Sequence, residues 1–327
     1  MLPEVKNVIS WPLVTEAVEQ ALRSACRAVG TEDLPFSNQP PRCYTSLEGE
    51  QMMLMTMPGY VGNYELGGHL RSTLACKFVT AFNEDENPQP PLPSMQANIL
   101  LFDTSTGRIE CIMEGTEITT MTIAAASLIA TKYLYFCKPD VQEQDNDSVV
   151  LSILGCGVQG RIHAIGFANY FTTITEIRLW DNTFSEAESL AKELDALREK
   201  FNIKITISHT VDHCVFGADV IVSATFGSEP LLHSNMIKST AHINVIVDGV
   251  NHYCELSEEL YLNSNIYIDS WGSAQTEMKE PQVEIVGLLG EVIDGLKPIK
   301  TGITIFQSMG MAAEDATVAE AVYSLIK

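Results

Sequence analysis

Three glycines between residues 155 and 160 carry the strongest chemical signal in the sequence. They form the pattern G-x-G-x-x-G directly after an apolar run, residues 149–154, and directly before a segment with helical spacing. In such a turn the glycines permit a tight bend, close approach of a pyrophosphate and packing of helix on strand. N–H groups at the start of the helix then face the phosphates. With the flanking strand and helix both present, the pattern predicts a dinucleotide site rather than a plain loop. The residues assigned to the cofactor here are Gly155, Gly157, Val158, Gln159 and Gly160.

An acidic residue follows at the distance expected of a ribose-binding carboxylate. Asp181 ends a second strand-like run, residues 177–181, and lies 21 residues after Gly160. Its carboxylate can accept hydrogen bonds from the adenosine ribose hydroxyls. It would repel a 2′-phosphate, and the next residue is Asn182 rather than an arginine that would bind one. The sequence therefore predicts NAD(H) in preference to NADP(H), with Asn182 also assigned to the cofactor.

Two cations in the first third of the chain are candidates for binding an anionic substrate. Arg42 follows two rigid prolines at the entrance to a strand, and Lys77 lies inside an apolar strand. A buried lysine needs an anionic partner, whereas a lysine on an edge strand can point to solvent, and both interpretations stay open. Arg42 is likewise either a surface arginine or an anion-binding group. The chain has only 20 basic against 42 acidic residues, so each cation near a turn carries extra weight.

Polar residues at the ends of later apolar runs are further candidates. Thr225, Asp248 and Asp269 each occupy such an end, and ligands of parallel sheets bind at the carboxyl ends of strands. Asp248 precedes a glycine, so it is either a functional acid or a turn aspartate. We assign Thr225 to the cofactor, together with Ser308 and Gly310 from the turn that precedes the C-terminal helix.

The overall composition restricts the classes of function. A net charge of −22 makes nucleic acid and anionic membranes unsuitable partners. The eight cysteines include no C-x-x-C pair, which predicts reduced thiols in a cytoplasmic protein. We expect no signal peptide, no membrane span and no metal site. The sequence has no basic leader followed by an apolar core, no apolar run of about 18 residues and no H-E-x-x-H spacing.

The first half of the chain must supply the scaffold that positions Arg42 and Lys77. Its periodicity predicts one amphipathic helix, an antiparallel meander in an open barrel-like sheet, and an alanine-rich helix capped by Thr119 or Thr120. The predicted helices are residues 13–29 and 119–136, and the predicted strands are residues 51–57, 75–82, 97–103 and 108–114.

The second half alternates strands with helices, which is typical of a doubly wound parallel sheet of the Rossmann type in the α/β class. Its predicted strands are residues 149–154, 177–181, 204–208, 219–225, 242–248 and 266–270, and its helices include residues 185–200, 211–217 and 231–238. We expect two domains. Residues 1–130 with 305–327 form an α+β substrate-binding and dimerisation domain, and residues 131–304 form an NAD-binding Rossmann domain.

A series of short motifs spans nearly the whole chain. The motifs are Gln39-Pro-Pro-Arg42, Met57-Pro58, Lys77-Phe-Val-Thr, Leu101-Phe-Asp-Thr-Ser-Thr-Gly107, Ala124-Ala-Ala-Ser127, Gly155-Cys-Gly-Val-Gln-Gly-Arg-Ile-His163, Asp269-Ser, Phe306-Gln-Ser-Met-Gly310 and Asp315. In order and spacing this series resembles the ornithine cyclodeaminase/mu-crystallin family. The resemblance implies a homodimer built on the first domain, with a Rossmann cofactor domain. Members convert ornithine to proline, oxidise alanine or reduce cyclic imines, and mu-crystallins also bind hormone.

The resemblance also assigns roles to residues and reveals two departures. It matches Arg42 and Lys77 to the residues that bind the substrate carboxylate, where a guanidinium fork and an ammonium both suit the ligand. The family usually has an arginine where this chain has Thr122, which we keep as substrate-binding. The acid of the cyclodeaminases is matched by Asp248, which lies one position early. We assign catalysis to Lys77 and Asp248, and cyclodeamination of ornithine itself is less favoured.

The sequence therefore predicts an NAD(H)-dependent oxidoreductase that transfers hydride at the C–N centre of a small amino or imino acid, as a ketimine reductase or an alanine dehydrogenase does. The alternative is a non-catalytic, mu-crystallin-like protein that binds a dinucleotide and a small ligand. A homodimer in the cytoplasm is expected in either case.

Overall fold

Two compact units make up the chain in this computed structural model, which describes residues 5–27, 34–46, 52–82, 95–141, 147–225, 227, 229–246, 255–278 and 283–327. The first unit is Met1–Thr122 with Gly310–Lys327, and the second is Ile123–Met309. The domain boundaries predicted from the sequence lie after residues 130 and 304. In the structure the boundaries lie after Thr122 and Met309, because the end of the long helix and one late strand belong to the second unit.

The first unit is an antiparallel sheet with two helices packed against it. Helices α1 (Trp11–Ser24) and α10 (Ala312–Ile326) contact each other and the third strand. The strands pair in the order β1-β3-β4-β5-β6, with β2 also pairing with β3, so the predicted antiparallel meander is confirmed. Their bounds are β1 (Phe36–Asn38), β2 (Cys43–Ser46), β3 (Met52–Leu66), β4 (His69–Phe82), β5 (Met95–Phe102) and β6 (Ile109–Glu114).

Strand β4 shows how alternation positions a charged side chain. Ala75, Lys77 and Val79 are buried on the face that α10 contacts, while the residues between them are half-buried on the other face. The period of two residues therefore brings Lys77 into the core.

The hairpin of β3 and β4 is much longer than the two short runs predicted at residues 51–57 and 75–82. It continues to a tight turn at Gly67 and Gly68, both with positive φ. The added part of β3 contains proline, glycine and a bulge at Asn63, whose φ is 56°. These are poor strand formers by propensity, and pairing with β4 overrides that propensity.

The alanine-rich helix α2 (Thr116–Thr131) begins three residues before the predicted start and continues as a π-helical turn, Lys132–Phe136. The prediction that Thr119 or Thr120 caps it is wrong, because Thr120 already donates its hydroxyl to the Thr116 carbonyl inside the helix. At the start, the Thr116 amide donates to the Glu114 carboxylate instead. The later part of α2 belongs to the second unit, where Ser127 and Thr131 bond to His163 and Asn244.

The second unit contains an eight-stranded sheet in which every pairing is parallel. The strand order is β13-β12-β14-β11-β10-β7-β8-β9, so the chain turns back across β7 and confirms the doubly wound prediction. The strands are β7 (Val149–Leu154), β8 (Ile174–Trp180), β9 (Lys204–Ile207), β10 (Val220–Ser223), β11 (His242–Ile246), β12 (Asn265–Ile268), β13 (Ile285–Leu288) and β14 (Thr304–Ser308). The helices between them are α3 (Val158–Tyr170), α4 (Phe184–Glu193), α5 (Asp195–Phe201), α6 (Val211–Val215), α7 (Glu258–Leu262), α8 (Trp271–Glu277) and α9 (Leu289–Ile293).

Strand β14 explains why the second domain boundary differs from the predicted one. It was expected to return to the first domain, but it lies between β11 and β12 and is buried along its whole length. The run after it, from Gly310, does return to the first unit. The helix predicted over residues 231–238 is reduced to one short 3₁₀ turn, Ser234–Met236. Leu232 forms an isolated bridge with Leu256, and the Leu231 and Leu232 amides donate to the Glu255 carbonyl.

The charged helix predicted over residues 185–200 is divided into α4 and α5 at Leu194. In the described ranges, no helix combines the length and hydropathy that crossing a membrane requires.

Candidate functional site

The glycine turn of the second unit lies between β7 and α3, at the point where the strand order reverses. Gly155 has a φ of 91°, and a Cβ there would lie 2.3 Å from the Ala224 carbonyl oxygen. A Cβ on Gly160 would lie 1.8 Å from the Gly155 carbonyl oxygen. At Gly157, by contrast, a Cβ would meet no atom within 4 Å. Two glycines therefore hold the turn closed, while the third leaves open space beside the start of α3, where a pyrophosphate fits.

Asp181 follows β8 and is tied to the same turn. Its two carboxylate oxygens accept separate backbone hydrogen bonds, one from the Cys156 amide at 2.7 Å and one from the Thr183 amide at 2.8 Å. Each oxygen keeps further lone-pair capacity, so ribose hydroxyls can still donate to it. Asn182, the next residue, is exposed. The donors and acceptors of the turn thus fit an adenosine ribose and a pyrophosphate.

A buried histidine supports the first turn of α3 from behind. The Nδ1 atom of His163 lies 2.7 Å from the Gln159 carbonyl oxygen, and Nε2 lies 3.0 Å from the Ser127 hydroxyl. Because a carbonyl can only accept, Nδ1 carries the proton and Nε2 accepts from the hydroxyl. Burial lowers the pKa of His163 to about 4, so the ring is neutral at physiological pH. The sequence analysis named His163 only as part of a motif and gave it no role. A histidine four residues after Gln159 in a helix is nevertheless suitably placed for this bond.

The other predicted cofactor residues of the second unit lie at the carboxyl edge of the sheet. Val158 is two-thirds exposed at the start of α3, at 67%. Ser308 is buried at the end of β14, opposite Ile246 of β11. Asp269, after β12, accepts the Met309 amide at 2.7 Å. This edge therefore carries polar groups where parallel sheets bind their ligands.

Glu255 is a residue of this edge that sequence reasoning did not single out. It is buried, and its two carboxylate oxygens accept the hydroxyls of Ser223 and Thr225 at the end of β10. The Thr225 hydroxyl, assigned to the cofactor from sequence, is therefore committed to Glu255. Nothing in the local spacing indicates that an acid 30 residues further on would reach Thr225.

The two predicted carboxylate-binding cations both lie in the first unit beside its C-terminal segment. Lys77 of β4 forms an ion pair with Asp315 in the first turn of α10, with an N···O distance of 2.7 Å. Arg42 donates from Nη2 to the Gly310 carbonyl at 3.0 Å. Gln39, three residues earlier, accepts the Ala313 amide at 3.0 Å. We call Arg42, Lys77 and Asp315 the carboxylate cluster. The structure thus groups Gly310, which was assigned to the cofactor from sequence, with this cluster.

Close packing fixes the start of α10, and with it the position of Asp315. A Cβ on Gly59 of β3 would lie 2.9 Å from the Ala312 Cβ, so only glycine allows the strand to approach the helix this closely. Burial raises the pKa of the Asp315 carboxyl, while the nearby Lys77 ammonium and the Arg42 guanidinium oppose that shift. Lys77 is buried with an anionic partner, which decides between the two interpretations left open by the sequence. Asp315 itself had no role assigned beforehand.

The two departures from the family pattern have different outcomes. Thr122 is buried, and its hydroxyl donates to the Thr119 carbonyl of the same helix at 3.0 Å. It therefore adds neither a cation nor a free donor for a carboxylate. Asp248 lies outside the described residues, so its assignment as a catalytic acid stays a prediction.

Comparisons with known proteins identify the family of this chain and the fold it shares with solved structures. The sequence profile of the ornithine cyclodeaminase/mu-crystallin family matches residues 2–327. The ketimine reductase mu-crystallin of Rattus norvegicus is 35% identical over 327 residues, covering 95% of this chain and 96% of the relative. A solved structure of Thermococcus litoralis Δ1-pyrroline-2-carboxylate reductase, in complex with NADH and L-proline, is 28% identical with a TM-score of 0.80. The match covers 99% of this chain and 97% of that one.

A second solved structure is an archaeal alanine dehydrogenase dimer with bound NAD. It is 27% identical to this chain with a TM-score of 0.79, and the match covers 98% of this chain and 92% of that one. Both structures support the two-sheet α/β architecture described above.

Proposed function

The chain belongs to the ornithine cyclodeaminase/mu-crystallin family, and we propose that it is an NAD(H)-dependent oxidoreductase acting at the C–N centre of a small amino or imino acid. One observation carries the proposal. The glycine turn leaves open space at Gly157, and the same turn holds Asp181 by the backbone amide of Cys156. A turn of this kind suits the diphosphate and unphosphorylated ribose of NAD(H).

In this proposal the second unit holds the cofactor. The N–H groups at the start of α3 take the pyrophosphate, and Asp181 with Asn182 takes the ribose. When bound, the nicotinamide supplies or accepts the hydride. The bound NADH and NAD of the two solved relatives support this assignment. The residues proposed to hold the cofactor are Gly155, Gly157, Val158, Gln159, Gly160, Asp181, Asn182, Thr225 and Ser308.

The first unit is proposed to hold the substrate carboxylate. Arg42 presents a planar fork and Lys77 a compact charge, and both suit a carboxylate. Fixing the carboxylate orients the adjacent carbon and its nitrogen for reaction. Asp248 is proposed to move the proton at that nitrogen, a contribution of about 10² to 10⁴ in rate for a well-placed group. The names of the relatives, ketimine reductase and Δ1-pyrroline-2-carboxylate reductase, support an imino acid substrate.

One specific observation favours a second candidate function. Thr122 stands where the family usually has an arginine, and its hydroxyl is committed within its own helix. Loss of one cation weakens a carboxylate clamp, so a protein that binds a dinucleotide and a small ligand without turnover is the alternative. Cyclodeamination of ornithine is disfavoured for the same reason.

A homodimer through the first unit is part of the proposal. The face of the sheet opposite to Lys77 carries apolar side chains in register across four strands, and Ile112 is 58% exposed. Such a face needs a partner, and the solved alanine dehydrogenase is a dimer. The residues concerned are Tyr60, Leu74, Phe78, Leu100, Phe102 and Ile112. We also propose a cytoplasmic location, supported by the seven described cysteines, all of which are free thiols.

The test is a binding titration followed by a turnover assay. NADH and NADPH are titrated separately against the purified protein, and NADH oxidation is then followed with Δ1-pyrroline-2-carboxylate, Δ1-piperideine-2-carboxylate and pyruvate plus ammonia. The proposal expects NADH to bind at least about tenfold more tightly than NADPH, with turnover of one or more imines. Tight NADH binding without turnover would select the alternative, and preference for NADPH would contradict the cofactor assignment.

A further inference from the structure

Three neighbouring strands of the second unit end in groups that follow the order of the parts of an ADP moiety. In the sheet β7 pairs with β8 and β8 pairs with β9, which is the edge strand. The glycine turn follows β7, and its Gly155 amide donates to the Trp180 carbonyl at the end of β8 at 2.9 Å. Asp181 follows β8. The diphosphate and the ribose are assigned to these two strand ends, so the end of β9 lies on the side where the base continues.

His209 is the residue after β9 that stands level with Asp181. The parallel pairing places Leu179 opposite Ile207, and the Ser208 amide continues it by donating to the Leu179 carbonyl at 2.8 Å. Asp181 and His209 each lie two residues beyond that pair. Adjacent strands are about 5 Å apart, which is also roughly the step from a ribose to its base. An aromatic side chain therefore stands next to the ribose site.

Phe184 stacks on the His209 ring and forms one aromatic unit with it. The two ring centroids are 4.7 Å apart, and the ring planes differ by only 5°. Phe184 is the first residue of α4, and the residue before it donates its amide, that of Thr183, to the Asp181 carboxylate. We call Phe184 and His209 the ring pair. The carboxylate that is assigned to the ribose thus also fixes the position of the ring pair beside it.

The ring pair stays accessible, although each ring covers part of the other. Phe184 is 39% exposed, and His209 is exposed as well. Aromatic surface that is left in water lacks the stabilisation that burial would give. A flat aromatic ligand that packs against the pair would provide this burial, and every nucleobase presents a suitable π-face.

We propose that the ring pair is the adenine-binding surface of the dinucleotide site, and that it binds the base by stacking rather than by hydrogen bonds. The inference rests on the proposed function, because it takes Asp181 as the ribose-binding residue. It extends the cofactor site from the end of β8 to the end of β9. Phe184 and His209 hold the end of the cofactor that is remote from hydride transfer, so they are binding residues and not catalytic ones.

The experiment measures cofactor affinity and base stacking separately. Fluorescence titration gives the Kd for NADH. The protein is then saturated with 1,N6-etheno-ADP-ribose, whose fluorescent base loses emission when it stacks on an aromatic ring. The variants are Phe184→Ala, His209→Ala and His209→Tyr, with Phe216→Ala as the control. Phe216 is a 77% exposed phenylalanine of the same unit, and it lies between α6 and the start of β10, at the opposite edge of the sheet.

Stacking predicts that the wild-type protein quenches the bound etheno base. In Phe184→Ala and in His209→Ala the Kd for NADH rises about tenfold, the scale found when an aromatic ring that stacks on a base is replaced by alanine, and the emission of the bound base recovers. His209→Tyr keeps an aromatic ring, so quenching persists and the Kd stays within about threefold of wild type. Phe216→Ala behaves as the wild type does. Both rings of the pair are accessible, so the alanine variants are expected to fold.

Unchanged NADH affinity and unchanged emission in both alanine variants would overturn the inference, and would show that the ring pair only ties α4 to the end of β9. Weaker NADH binding with the emission still quenched would overturn it too. So would a wild-type protein that rejects the etheno ligand or binds it without quenching, because hydrogen bonds would then hold the base.

These outcomes leave the proposed reaction untouched, because the readout is binding and does not depend on turnover. Conversely, a protein that shows the predicted stacking but reduces no imine would refute the proposed reaction and leave the adenine-binding surface standing. A wild-type protein that binds no NADH would overturn the cofactor assignment itself and the inference with it.

Discussion

The glycine turn and the carboxylate cluster differ in the chemical groups that form them. The glycine turn of the second unit is a backbone site, in which glycines and amides from a stretch of about thirty contiguous residues create the space and the donors. The carboxylate cluster of the first unit is a side-chain site, assembled from residues 42, 77 and 315 by a strand, a turn and the C-terminal helix. The backbone site is therefore sensitive to added volume, and the side-chain site to removed charge.

The largest expected effect comes from adding one methyl group to the turn. In Gly160→Ala the new Cβ would lie 1.8 Å from a backbone oxygen, so the turn must open. We expect a loss of about 3 kcal/mol or more in the free energy of unfolding, together with loss of NADH binding. Urea denaturation and NADH fluorescence measure the two effects.

Gly157→Ala is the matched variant for that prediction. Its Cβ would meet no protein atom within 4 Å, so the free energy of unfolding stays within about 0.5 kcal/mol of wild type. NADH affinity nevertheless falls at least about tenfold, because the methyl group occupies the space expected for the pyrophosphate. Full NADH affinity in Gly157→Ala would show that the turn does not hold the nucleotide.

Removing the charge of Lys77 tests the role of the carboxylate cluster. Lys77→Met leaves Asp315 buried without its cation, at an expected cost of about 3 kcal/mol in unfolding free energy. The value of kcat/KM for an imino acid should fall by about a hundredfold, while the Kd for NADH stays within twofold or so. The control is Arg71→Met, which breaks a more exposed ion pair between the same strand and helix and should cost only about 1 kcal/mol.

The double variant Lys77→Met with Asp315→Leu separates stability from function. Replacing both charges with apolar groups should restore most of the lost stability but none of the activity. Recovery of activity in the double variant would show that the two charges serve only the fold.

Acid should destabilise the second unit through its buried histidines. Burial lowers the pKa of His163 to about 4 and that of His242 to about 3, whereas both titrate near 6.5 when unfolded. Between pH 6.5 and 4 the unfolded chain therefore binds more protons than the folded one, and stability falls as the pH falls. His163 alone accounts for about 3 kcal/mol across this range, since each tenfold difference in proton affinity is about 1.4 kcal/mol.

Urea denaturation at pH 7, 5.5 and 4.5 measures this slope. The slope should be reduced in His163→Gln and unchanged in His69→Gln, because His69 is an exposed residue of the first unit. An identical slope in all three proteins would rule out His163 as its source.

The smallest effect concerns the choice between the two dinucleotides. In the double variant Asp181→Ser with Asn182→Arg, a carboxylate is lost and a cation gained beside the ribose. The ratio of NADPH to NADH affinity should rise by about tenfold or more, on the scale of one charged hydrogen bond. Absolute affinity for NADH also falls, because Asp181 no longer holds the Cys156 and Thr183 amides. A ratio that does not move would place the ribose elsewhere.

The contrast also explains what the sequence could and could not predict. The glycine turn, Asp181 and the parallel sheet were predictable, because local spacing alone specifies a strand, a turn and a helix. The structure of residues 231–238 was not predictable from local sequence. Their spacing is typical of a helix, but a tertiary contact, the bridge between Leu232 and Leu256, overrides it. Strand β14 was missed for a similar reason, since its place between β11 and β12 depends on a chain that returns from far along the sequence.

The carboxylate cluster was only partly predictable. Local sequence made Arg42 and Lys77 candidates, and resemblance to a family assigned them to a carboxylate, but no spacing rule connects residue 77 with residue 315. The pairing of Lys77 with Asp315 depends on how closely α10 approaches the sheet at Gly59. The bonds from Ser223 and Thr225 to Glu255 were beyond sequence reasoning for the same physical reason.

Transfer of a labelled hydride tests the central claim most directly. The protein is incubated with NADH deuterated at C4 in the transferred position and with Δ1-pyrroline-2-carboxylate, and the product is analysed by mass spectrometry and NMR. The account predicts proline that carries one deuterium at the carbon bearing the carboxylate and the nitrogen. Proline without deuterium, or no proline under conditions where NADH is bound, would contradict it.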